Sequence, residues 1–174
     1  MVGMNRILDM GWPSARDLLE AARSACFDYE RCERQLLALR ARAESLGGGT
    51  SAGGVGGASS HDSLECRVVA LADRGRELER QMTRDEQVMD AACEMLFGGE
   101  GSEWREGLSA LVPTFWCEGL WWHYLQGETW AQVGRTLGYS PDHLMRCARN
   151  ALEVADAYGL ATVAAGTGIA EDAR

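Results

Sequence analysis

Residues 127–155 read GETWAQVGRTLGYSPDHLMRCARNALEVA, and two short helices around a glycine turn account for the pattern. Thr129 can cap a first helix whose inward residues are Trp130, Val133 and Leu137, at i, i+3 and i+7. Gly138 permits a tight turn, and Tyr139 is placed to plug the angle between the helices. Ser140 and Pro141 are a strong helix start, a cap residue followed by proline at the first helical position. The second helix is predicted to run to about Ala155. Two short helices joined by a three- or four-residue turn containing glycine form a helix-turn-helix.

The second helix divides cleanly. At about 100° per residue, Leu144, Cys147, Ala148, Ala151, Leu152 and Ala155 share one side. Asp142, His143, Arg146, Arg149, Asn150 and Glu153 share the other. In this motif the exposed face of the second helix enters the DNA major groove, where arginine suits guanine edges and asparagine suits adenine. The same face would also serve as an ordinary solvated surface.

Upstream, Phe115–Leu125 is apolar nearly all round, which predicts a helix buried on most sides that Gly127 ends. Five of the six tryptophans fall between Trp104 and Trp130, enough large side chain to hold a small domain together. Gly98, Gly99 and Gly101 mark a boundary. Before it, Ala15, Leu18, Ala22, Ala25, Tyr29, Cys32, Leu36, Leu39, Ala43 and Leu46 form a stripe alternating by three and four, the seam of a coiled coil. Ser14 can cap this helix and Gly47 can end it. A second stripe runs through Leu64, Val68, Leu71, Gly75, Leu78, Met82, Asp85, Met89, Ala92 and Leu96, with Gly75 and Asp85 as its weak points. Between them residues 47–60 are half glycine and read as a flexible linker.

The expected fold is therefore all-α: a long N-terminal antiparallel helical hairpin, then a Trp-rich helix-turn-helix domain. The expected divisions are an N-terminal segment 1–13, the hairpin 14–97, the helix-turn-helix domain 102–158 and a flexible tail 159–174. Pairing of the long helices between chains competes with pairing within one.

Composition narrows the function. The chain has 174 residues, 46% of them apolar, and a formal charge of −9, which argues against non-specific coating of nucleic acid. All 17 basic residues are arginine, which a GC-rich genome explains without any functional demand. No run approaches the ~18–20 apolar residues of a membrane span, and no secretory signal is expected. Six scattered cysteines without a CxxC pair suggest reduced thiols in a cytoplasm. Cys117, His123, His143 and Cys147 lack zinc-knuckle spacing, so no metal site is expected. No phosphate cradle or catalytic Ser/His/Asp order stands out, so neither an enzyme nor a cofactor is expected.

The string from Leu125 to Leu152, with Gly127, Trp130, Val133, Leu137, Gly138, Tyr139, Ser140, Arg146, Ala151 and Leu152 in register, resembles region 4 of sigma-70-family factors. Over residues 14–155 the chain resembles small phage-encoded sigma-like regulators of the ArpU type. That resemblance implies sequence-specific binding of double-stranded DNA in transcription control, with RNA polymerase as a further partner. Arg146, Arg149 and Asn150 lead the candidate contacts, with Asp142 and His143 beside them; Arg135 and Ser140 complete the set. Many such proteins carry basic residues just after the capping serine, where this chain has Pro141 and Asp142. From Thr129 to Tyr158, Arg135, Arg146 and Arg149 are balanced by Asp142, Glu153 and Asp156. A neutral segment attracts phosphate weakly, so dimerisation through the N-terminal helices or a polymerase partner has to supply the rest. Two other readings compete: a phage terminase small subunit, and a coiled-coil adaptor that binds protein and not DNA.

Overall fold

The computed structural model describes residues 11–47, 59–99 and 106–166, and among them every regular element is helical. Two long helices come first, α1 (Ala15–Gly47) and α2 (Ser59–Phe97). A single 3-10 turn at Leu108–Ala110 leads into α3 (Thr114–Tyr124), α4 (Trp130–Leu137), α5 (Pro141–Tyr158) and α6 (Leu160–Ala165). No described helix is long and apolar enough to cross a membrane. The chain forms two compact units, one from Phe27 to Asp85 and one joining the residues up to Cys26 with those from Glu86 onward.

The Phe27–Asp85 unit is a helical hairpin paired within the chain. Asp28 acts electrostatically on Asp85, and Leu36 Cδ1 lies 3.8 Å from where a Cβ on Gly75 would stand. Moving up α1 therefore moves down α2, and the helices are antiparallel. Cys32, Leu36 and Leu78 are buried in the seam, with Leu39 and Met82 packed against them. Around this thin core lie exposed ion pairs such as Arg40–Glu79 at 3.4 Å and Arg80–Glu77 at 2.7 Å, each worth at most ~1 kcal/mol. The predicted stripes are buried or half-buried over this stretch, but Ala43 is exposed and Val68 is 50% exposed. The helix of α2 starts at Ser59, inside the expected linker, and residues 48–58 lie outside the described ones.

The other unit overturns two expected boundaries. Its core joins Leu18 and Leu19 of α1, Met95 and Leu96 of α2, Leu108, and side chains from α3, α5 and α6. Helices on both sides of the expected boundary at 98–101 thus share one core, so no domain boundary separates them. Glycines there were a true signal of helix termination, but they say nothing about which helices share a core. The expected tail is corrected as well: Leu160–Ala165 is helical, Val163 is fully buried, and its carbonyl accepts the Gly107 N–H at 3.0 Å. Residues 102–105 and those after 166, like Trp104, fall outside the described residues. At the start of α1, Ser14 Oγ accepts from the Asp17 N–H as predicted, and Asp156 of α5 accepts from the Ala15 N–H at 2.7 Å.

Asp85 is the anomaly of the seam. It is 6% exposed; Gln81 donates to Oδ1 at 2.8 Å, and Oδ2 is buried with no partner. Burial pushes its carboxyl above the usual range, Gln81 and the arginines Arg84 and Arg31 oppose this, and Asp28 adds to it. An acid whose folded pKa exceeds its unfolded value stabilises the fold below the unfolded pKa, and this contribution is lost as pH rises through the folded value. Asp85→Leu should therefore raise stability at pH 7, by about 1–3 kcal/mol. Thermal melts across pH should show this advantage shrinking as acid protonates the wild-type carboxyl. A mutant no more stable than wild type at neutral pH would contradict the account.

Candidate nucleic-acid interface

α3, α4 and α5 pack on one another, with Gly119 of α3 at the meeting point. A Cβ there would lie 3.8 Å from Leu144 of α5 and 3.9 Å from both Leu137 and Trp130 of α4. α4 starts on a capping box, in which Thr129 Oγ1 accepts the Gln132 N–H at 3.4 Å and Gln132 Oε1 accepts the Thr129 N–H at 2.9 Å. It stops at Gly138, whose φ of +77° gives the left-handed cap that glycine adopts most easily. Both Gly138 and Tyr139 N–H groups donate to the Gly134 carbonyl at 3.0 Å. Ser140 Oγ then accepts the His143 N–H at 3.3 Å, and Pro141 opens α5.

The closeness of the two helices rests on Gly134. A Cβ at that position would come within 2.7 Å of the Tyr139 carbonyl oxygen and 3.5 Å of the Pro141 ring. The corner is capped from outside: Tyr139 stacks on Phe115 at 4.7 Å between ring centroids and stays 42% exposed, so it covers the angle and does not plug it.

α3 holds the start of α4 through His123. Its ring stacks on Trp130 with centroids 4.2 Å apart, and Nδ1 lies 2.7 Å from the Glu128 carbonyl oxygen. A carbonyl only accepts, so Nδ1 carries the hydrogen and the neutral ring presents Nε2 to the Arg23 guanidinium of α1 at 3.4 Å. Burial lowers the His123 pKa, the Glu128 bond opposes that, and the Arg23 charge reinforces it.

The packed side of α5 is as predicted, with Leu144, Cys147, Ala148, Ala151, Leu152 and Ala155 all buried. Of the candidate contacts, Asp142, Arg146 and Arg149 are exposed and line one shallow hollow together with Met145. Asn150 is exposed further along the same helix. The others are placed differently. Ser140 spends its hydroxyl on the helix cap, and Arg135 is exposed on α4 outside the hollow. His143 is half-buried beside Tyr139 and Phe115, with Nε2 3.5 Å from Cys147 Sγ. Met145, 42% exposed, was not singled out in the sequence; its position at the edge of the apolar arc was the available signal.

Burial pushes Cys117 up to about 12 and also raises Cys147. No group of three or more His, Cys, Asp or Glu that could hold a metal ion occurs among the described residues.

Comparison with protein families, characterised proteins and solved structures finds no match for the chain. Gly134→Ala sets two effects against each other. Helix propensity favours alanine by about 1 kcal/mol, and the clash with a backbone oxygen opposes it. The clash should win, lowering stability by roughly 1–3 kcal/mol in a denaturant melt. A more stable mutant would mean that α4 and α5 are not pressed together at this point.

Proposed function

We propose that the chain binds double-stranded DNA sequence-specifically through α5, as a transcriptional regulator of the sigma region 4-like, phage kind. The observation that carries this reading is the division of α5. Its inner face is wholly buried, and Arg146, Arg149 and Asn150 stand exposed on a helix held rigidly behind a tight turn. This is the presentation that groove reading requires. The resemblance of residues 125–152 to sigma region 4 supports the same conclusion. DNA reading of this kind belongs in the cytoplasm, where RNA polymerase and a second copy of the chain are the natural sources of added affinity. The charge of −9 favours the adaptor reading instead, in which the hairpin is the active surface.

A selection of bound fragments from genomic DNA decides between them. Arg146→Ala with Arg149→Ala should abolish protection of the selected site and leave the melting curve unchanged, because both side chains are exposed. Each lost phosphate contact should reduce the salt slope by about one unit, whereas each lost base contact should relax preference at one position. A double mutant with wild-type affinity and salt slope would overturn the assignment to α5. Failure to enrich any DNA with polymerase present would favour the adaptor.

A further inference from the structure

Asp142 is an awkward residue for a surface that meets DNA, since a carboxylate repels phosphate. The helix cap does not require it: Ser140 Oγ already holds the His143 N–H. Nor is it ion-paired with its neighbours. Asp142 and Arg146 have the i, i+4 spacing of an intrahelical ion pair and line the same hollow, yet no ion pair joins Asp142 to Arg146 or Arg149 among the described residues. Both side chains are exposed, on positions ~6 Å apart along the helix axis, or within two base steps.

Resting on the DNA-binding reading above, we propose that Asp142 and Arg146 together read a G·C pair, with Asp142 selecting cytosine and Arg146 selecting guanine. The chemistry is one of complementary edges. Guanine offers O6 and N7 as acceptors, which suit a guanidinium, and cytosine offers the N4 amino group, a donor that suits a carboxylate. Thymine shows an acceptor and a methyl group, neither of which suits Asp142, and adenine sets its N7 acceptor beside the N6 amino group. The order of groups across the groove makes the difference: G·C presents two adjacent acceptors and then a donor, which suits a guanidinium beside a carboxylate, whereas A·T presents a donor between two acceptors. Asp142 also lies in the first turn of α5, where a negative charge favours the helix dipole. That role affects stability alone and leaves base preference untouched.

The test is selection from a random double-stranded DNA library by the full chain and by Asp142→Ala and Asp142→Asn variants, with melting curves for each. The wild type should select a site containing an invariant G·C pair. Asp142→Ala should lose about tenfold of the preference for cytosine at one position and keep the rest of the site. Asp142→Asn should shift that position toward adenine, whose N6 and N7 pair with an amide. A dipole role cannot produce that shift. If both variants select the wild-type site unchanged, cytosine reading is overturned and DNA binding through α5 stands. If the wild type selects no site, the DNA-binding reading fails and this inference fails with it.

Discussion

One layer of small and aliphatic side chains ties distant parts of the chain together. Leu18, Leu19, Met95, Leu96, Leu120 and Val163 are all fully buried in the same core. Each such leucine contributes ~1.5–3 kcal/mol by leaving water, but only if the others are present to cover it. Ala15, Ala22, Ala91 and Ala92 keep the helix surfaces narrow enough for backbones to approach. The helix-turn-helix rests on this layer. α5 gives Ala148, Ala151, Leu152 and Ala155 to it, and Asp156 closes over the first turn of α1. The exposed face of α5 is thus oriented by the start of α1 and the end of α2 as much as by α3 and α4.

That mounting matters because the local electrostatics are weak. With acids and arginines balanced from Thr129 to Tyr158, the segment has little long-range pull on phosphate. Under the proposed DNA-binding reading, discrimination would rest on side chains held in place and not on flexible charge. Close contacts cluster around the turn: Gly134 under Tyr139 and Pro141, Tyr139 stacked on Phe115, and His123 set between Trp130 and Arg23.

Local patterns were legible in the sequence and long-range partnerships were not. The caps at Thr129 and Ser140, the turn at Gly138 and the inner face of α5 follow from period and side-chain chemistry within a few residues. The inward positions of α1, from Ala15 to Leu36, follow likewise from their three-four spacing. Sequence spacing could not reveal that Leu18 and Val163 share a core, since a stripe announces a partner without naming it. His143 illustrates a finer limit. Its angle put it with the exposed residues, but Phe115, from another helix, draws the ring aside. The small-residue stretch after Gly159 concealed a helix because Val163 is its one buried side chain, with Leu160 and Ala164 only partly buried beside it.

The contact between Ala15 and Asp156 joins residues 141 positions apart, so it cannot form until most of the chain has been synthesised. The hairpin seam of Cys32, Leu36 and Leu78 needs only residues of its own two arms. Cys26 Sγ lies 3.2 Å from Met89 Sδ, 63 positions on in the sequence. Lengthening a loop costs little in entropy, about 0.6 kcal/mol per doubling, so an inserted hairpin is an inexpensive detour for the fold. A chain that ended before α5 would leave the apolar side chains of α1 and α2, Leu18 and Met95 among them, without the cover that α5 and α6 provide.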